Sequence, residues 1–150
     1  MKTIYDSLLN AQEQYICHQC NCMSRNSLGL ARSIFFAFPW ANTYSRKRAP
    51  GTIDVMPGNR PVINVYSQVY PGKPNGSNDS VEVRLRLFVK CLERILEIPG
   101  LTSIAFPEGI GCGLAGGNWP DYLALLEVFE KKTKAQVSLY SPFGLRNRSR

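Results

Sequence analysis

Two segments of this 150-residue chain contain residues whose types and spacing could support chemistry. Residues 17–31 hold the only histidine, His18, together with three of the five cysteines. Residues 107–117 hold five glycines within the nine positions that start at Gly109. We treat these two segments as the candidate functional loops.

The glycine-rich segment is suited to binding an anion through its backbone. Glycine carries an entropic cost, so five of them together are expected where a backbone must approach a ligand closely. Exposed N–H groups ahead of a helix form a cradle for phosphate. Gly111, Gly113 and Gly116 fit a Gly-x-Gly-x-x-Gly pattern, but a dinucleotide fold needs an acidic residue about 20 positions later, and position 136 is Gln. We therefore reject a Rossmann domain and keep phosphate binding, with a loop that merely turns tightly as the alternative.

The cysteine-rich segment admits a metal hypothesis and an acid–base hypothesis. His18, Cys20 and Cys22 alternate, so they share one face of a strand. The paired spacings of zinc knuckles are absent, and small core residues explain these cysteines better. We expect no metal and no cofactor. His18 is the one side chain whose unperturbed pKa suits acid–base catalysis near pH 7, and a buried strand histidine beneath the loop is the alternative.

The elements that must position these loops can be predicted from periodicity. Apolar residues indicate helices over 27–38, 79–98 and 119–132. In the second helix Arg84, Arg86, Glu93 and Arg94 fall largely off the apolar stripe. Short β-branched or aromatic runs indicate strands at 14–20, 52–56, 61–68, 102–106 and 136–141, with 2–5 as an edge strand. This alternation predicts a mixed sheet covered on both faces, with ligands beyond the carboxyl ends of its strands.

Three motifs together resemble the macro domain family, across most of the chain. They are His-Gln-Cys-Asn-Cys at 18–22, Leu-Gly-Leu-Ala at 28–31, and Gly-Ile-Gly-Cys-Gly-Leu at 109–114 followed by Trp119. The resemblance is strongest to the branch that contains ADP-ribose 1″-phosphate phosphatases and terminal ADP-ribose glycohydrolases. It implies a three-layer α/β/α domain over 1–141, with a central mixed sheet of about six strands and a basic C-terminal tail over 142–150.

The resemblance implies that the chain binds ADP-ribose, or an ADP-ribosylated macromolecule, and processes it as a phosphatase or an ADP-ribosyl hydrolase with His18 as its acid–base residue. Asp6 would lie by the adenine, and Tyr140 or Phe143 would stack on it. The first loop would follow the distal ribose with Asn21, Cys22, Met23, Leu28, Gly29 and Leu30. The second would wrap the diphosphate with Gly109, Ile110, Gly111, Cys112, Gly113, Leu114 and Ala115.

Departures from the family pattern keep a non-catalytic ADP-ribose reader open. The glycine run of the first loop is reduced to Gly29. Terminal glycohydrolases use a lysine on a central strand and an aspartate after Gly-Cys-Gly-Leu. Ser67 or Gln68 and Ala115 occupy the matching positions here.

Composition limits the classes of protein and partner that remain. With 44% hydrophobic residues the chain is globular, and its net charge of +7 favours an anionic partner. Nucleic acid is less favoured, because the basic clusters at 46–48 and 146–150 lack an aromatic platform; solvated surface is their simpler interpretation. The longest apolar stretch, 34–40, is far shorter than the roughly 20 residues of a membrane span. We expect free thiols, a monomer, no membrane partner and a cytoplasmic location, with nuclear entry by diffusion.

Overall fold

The computed structural model describes residues 1–142, which form six strands and three helices. The predicted elements are all present, with ends within two residues of those expected, and 3₁₀ turns add Leu8–Asn10 and Pro39–Ala41. The elements, in chain order, are β1 (Lys2–Ile4), β2 (Tyr15–Asn21), α1 (Gly29–Ala37), β3 (Ile53–Met56), β4 (Val62–Gln68), α2 (Val81–Leu96), β5 (Ser103–Pro107), α3 (Trp119–Lys132) and β6 (Gln136–Tyr140).

The six strands form one mixed sheet in the order β1-β6-β5-β2-β4-β3. β3 pairs with β4 in the antiparallel sense, and the other neighbours are parallel. Because β2 and β5 are adjacent and parallel, the loops that follow them emerge side by side at one edge of the sheet. This adjacency brings the two candidate loops together.

Helices cover both faces of the sheet and bury a separate core on each. β4 shows why, since all seven of its residues are buried. Ile63 and Val65 pack with α2 and α3, whereas Val62 and Tyr66 pack with α1. The fold is therefore the predicted three-layer α/β/α arrangement. None of the helices within residues 1–142 is long and apolar enough to cross a bilayer.

The N-termini of α1 and α2 differ in whether a side chain caps them. Ser80 caps α2, because its Oγ accepts the N–H of Val83 at 3.1 Å. Leu28 precedes α1 and has no side chain that can accept the N–H groups of the first turn. These α1 groups therefore remain available to a ligand.

Candidate functional site

A cleft of about 500 Å³ opens at the carboxyl edge of the sheet, between the loops that follow β2 and β5. Gln68 at the end of β4 and Gly72 in the loop that follows it line a further wall. The predicted site residues that line this cleft are Asn21, Leu28, Gly29, Leu30, Gly109, Ile110, Gly111, Cys112, Gly113, Leu114 and Ala115.

The loop after β5 is built from tight turns that leave several N–H groups unused. The N–H of Ile110 donates to the carbonyl of Pro107 at 3.1 Å, and the N–H of Cys112 donates to that of Gly109 at 2.9 Å. The N–H groups of Gly111 and Gly113 have no acceptor among residues 1–142. An anion in the cleft can therefore take up hydrogen bonds that the fold leaves open.

Two glycines of this loop serve different purposes. Gly111 has φ +78°, and a Cβ there would lie 2.5 Å from the ring of Tyr122, so the fold itself requires glycine. A Cβ on Gly113 would meet no atom within 4 Å. The space beside Gly113 is therefore free for a ligand.

The first turn of α1 forms the facing wall. Leu28, Gly29, Leu30 and Ala31 all line the cleft, and this helix lacks a side-chain cap. Unpaired N–H groups and the helix dipole together favour an anion at such a position. Two independent sets of backbone donors thus face one cavity.

Asn21 organises its own loop as well as lining the cleft. Its Oδ1 accepts the N–H groups of Met23 at 3.0 Å and Ser24 at 2.8 Å. Only Nδ2 has no partner among the described residues, so it alone is available to a ligand. Cys22 and Met23, predicted beside the ribose, do not line the cleft.

Asp6 and Tyr140, two of the residues predicted beside the adenine, do not line the cleft. Asp6 lies on a separate open cavity beside β1, where its Oδ1 accepts the N–H of Ser7 at 2.7 Å. Tyr140 is buried and its hydroxyl donates to Glu13, so its ring is not available for stacking. Phe143 and the predicted basic tail from that position onward lie outside the described residues.

His18 is fully buried, at 0% exposure, and does not line the cleft. Asn64 Nδ2 donates to the carbonyl of Ala41, so its Oδ1 faces His18 and the ring Nε2, 2.6 Å away, is assigned as the donor. Burial lowers the pKa of His18 to about 4, against the opposing effect of the Asn64 hydrogen bond. The structure therefore favours the buried-histidine alternative over an acid–base role at the cleft.

A neutral polar chain occupies the end of β4, where the sequence resemblance would have placed a lysine. Ser67 Oγ donates to Gln19 Oε1 at 2.6 Å, and Gln19 Nε2 donates to Gln68 Oε1 at 2.6 Å. These side chains satisfy one another and offer no amine nucleophile.

Titratable side chains on the cleft wall are few. Among the described lining residues Glu108 is the one with a charged side chain. Burial raises the pKa of Cys112 to about 11, so its thiol stays protonated at neutral pH. Within residues 1–142 no three His, Cys, Asp or Glu side chains are grouped to hold a metal ion.

Two buried arginines support the walls of the cleft, and their burial was not predicted from the sequence. Arg84 is 2% exposed instead of solvated, because it pairs with the fully buried Asp79 at 2.7 Å. It also donates to the carbonyls of Gly72 at 2.8 Å and Ala115 at 3.2 Å, which joins two walls of the cleft. Arg48, predicted within a surface cluster, is 7% exposed and contacts the loop after β2.

The sequence matches no protein-family model and no curated protein. The fold resembles the alphavirus P23pro-zbd structure, with 19% identity and a TM-score of 0.73 over 94% of this chain. The chain spans only 21% of that protein. It also resembles the macrodomain of Mycobacterium tuberculosis DarG, with 18% identity and a TM-score of 0.68, covering 93% of this chain and 97% of that one.

A third similar structure is Thermosipho africanus DarTG in complex with ADP-ribose. It shares 17% identity and a TM-score of 0.64, covering 93% of this chain and 41% of that one. At these identities the comparisons establish the fold alone. The chain has the macrodomain fold.

Proposed function

We propose that the chain binds ADP-ribose, or a close derivative, in the cleft between the loops after β2 and β5. The observation that carries this proposal is the convergence of two sets of unpaired backbone N–H groups, one from Gly111 and Gly113 and one from the first turn of α1. A diphosphate offers several anionic oxygens that can accept from both sets at once.

The size and lining of the cleft support the same ligand class. A volume of about 500 Å³ falls within the range of small-molecule and cofactor sites. The exposed side chains of Leu28, Leu30 and Leu114 provide apolar surface near the donors. The macrodomain fold, and the ADP-ribose complex of the Thermosipho africanus protein, further support this ligand.

Titration calorimetry with ADP-ribose, ADP and adenosine tests the proposal. We expect ADP-ribose to bind, and adenosine to bind at least tenfold more weakly, a difference of about 1.4 kcal/mol or more. The reason is that adenosine lacks the diphosphate that the backbone donors would bind. Absence of ADP-ribose binding, or equal affinity for adenosine, would refute the assignment.

Hydrolysis of an ADP-ribose derivative is the second candidate, and Glu108 is the observation that favours it. Glu108 lines the cleft and is exposed, so its carboxylate is the candidate group to activate a water molecule. The chemistry would remove a 1″-phosphate from ADP-ribose or release ADP-ribose from a modified target. Non-catalytic recognition is the competing proposal. It agrees with Ala115 and the neutral Gln68, which stand where the sequence resemblance would have placed an aspartate and a lysine.

Turnover assays separate these two proposals. The protein is incubated with ADP-ribose 1″-phosphate and with ADP-ribosylated protein, and products are quantified by chromatography. If the chain is a hydrolase, Glu108→Gln should lose at least about a hundredfold in rate, as removal of a general base does, while ADP-ribose affinity is retained. If the wild type converts neither substrate yet binds ADP-ribose, recognition without catalysis is supported.

A further inference from the structure

Arg48 holds the loop after β2 from behind through an unusual set of partners. Its Nε donates to the carbonyl of Asn21 at 3.1 Å, and Nη2 donates to that of Ser24 at 2.7 Å. Nη1 donates to the carbonyls of Tyr44 at 3.0 Å and Arg46 at 2.9 Å. One guanidinium therefore joins the cleft loop to the segment before β3.

The ring of Tyr44 completes this arrangement. The Arg48 guanidinium lies 4.2 Å from the centre of that ring, a cation–π contact. The Tyr44 hydroxyl accepts the N–H of Asn21 at 3.2 Å. Asn21, the last residue of β2, is thus held at its N–H by Tyr44 and at its carbonyl by Arg48.

The charge of Arg48 is not neutralised by an ion pair in the described part of the chain. The partners above are neutral carbonyls, whereas Arg84, the other buried arginine, pairs with Asp79. The remaining side-chain ion pair there joins Arg46 and Asp54. A buried and unpaired positive charge interacts with its surroundings more strongly than a solvated one does.

Arg48 lies directly behind the wall that a ligand would touch. Asn21, Ser24 and Tyr44 line the cleft, and Arg48 contacts all three without lining it. The loop after β2, residues 22–28, contains no glycine, so its shape depends on side-chain supports and not on glycine turns.

We propose that Arg48 is a positioning residue that holds the loop after β2 in its binding geometry and places a buried positive charge behind the cleft, which favours anionic ligands. The proposal deepens the proposed function and rests on it for the identity of the ligand. Arg48 fits both roles because a guanidinium has five donors in a fixed plane and remains charged throughout the physiological pH range.

Three variants separate positioning from charge. Arg48→Met removes both, Arg48→Lys keeps the charge but loses the planar set of donors, and Arg86→Met is the matched control on the exposed side of α2. We expect Arg48→Met to weaken ADP-ribose binding at least tenfold and Arg86→Met to leave it within about twofold. Arg48→Lys should fall between them, with a loss of about threefold or more, since lysine cannot reach all of these carbonyls at once.

Amide hydrogen exchange of the ligand-free proteins provides a readout that does not depend on the ligand. Exchange at residues 21–28 should be faster in both Arg48 variants than in wild type and Arg86→Met, while α3 retains its protection. If wild type fails to bind ADP-ribose, the proposed function fails and this exchange comparison still decides the positioning role.

Unchanged affinity together with unchanged exchange in folded Arg48→Met would overturn the proposal. A general loss of stability would instead move exchange throughout the molecule, including α3, and would count against a local role. If Arg48→Met does not fold, Arg48→Lys decides: wild-type affinity and exchange in that variant would equally contradict a role for the planar donors.

Discussion

Gly113→Val is the substitution that tests the ligand position with least disturbance of the fold. The backbone at Gly113 is not in the left-handed region, and an added Cβ would meet no atom within 4 Å. We therefore expect the free energy of unfolding to stay within about 0.5 kcal/mol of wild type. The two methyl groups of valine would instead occupy the space beside the unpaired N–H groups.

The expected loss of affinity follows from the hydrogen bonds at stake. One bond from a backbone N–H to a charged oxygen contributes about 1.5–3 kcal/mol, so displacing the diphosphate from a single donor should weaken binding at least tenfold. Titration calorimetry with ADP-ribose measures the affinity, and urea unfolding measures stability. Gly113→Ala serves as the graded control, with a smaller loss. Wild-type affinity in folded Gly113→Val would refute the placement of the diphosphate at this loop.

Three further predictions concern stability. Gly111→Val should lower the free energy of unfolding, measured by urea titration, by at least about 1–3 kcal/mol. The left-handed φ of +78° is strained for valine, and the Tyr122 ring blocks the added Cβ. Wild-type stability would contradict this prediction. In the unfolded chain His18 binds a proton near pH 6.5, whereas in the folded protein burial lowers its pKa to about 4. The free energy of unfolding should therefore decrease as the pH falls from about 6.5 to about 4. His18→Gln should flatten that decline, and an identical slope would exclude His18 as its source. Asp79→Asn should cost about 3–5 kcal/mol by leaving a buried arginine unpaired, whereas Arg46→Ala, at an exposed pair, should cost no more than about 1 kcal/mol; equal costs would refute the distinction.

Features that depend on local periodicity could be predicted from the sequence. α3 has the bounds expected for it, Trp119–Lys132, because its apolar spacing and the Pro120 and Asp121 of its first turn are local signals. The two loops that border the cleft could also be predicted, since both follow strands of a mixed sheet, whereas the adjacency of β2 and β5 that joins them was not predicted. Both interpretations use the 3.6-residue and two-residue periods that burial on one face imposes.

The supports of the cleft could not be predicted in the same way. Arg48 and Arg84 bind carbonyl groups of distant segments, and every residue type carries a carbonyl, so no sequence pattern marks such partners. Arg48 was interpreted as part of a solvated cluster, and Arg84 falls off the apolar stripe of α2, because charged residues usually lie in solvent. His18 shows the converse error: its type suits catalysis, but tertiary packing against Phe35 and Asn64 removes it from the cleft.

The pairing of β1 with β6 has a consequence for the order in which the chain folds. Lys2, Thr3 and Ile4 align with residues 138–140, and β6 is the strand beside β1. During synthesis this first segment therefore has no partner strand until nearly the whole domain has been made. A three-residue strand adds few hydrogen bonds against a loop closure of this length. We expect β1 to dock last, after the inner strands have formed, and the amides of β1 to be among the first in the sheet to exchange with solvent.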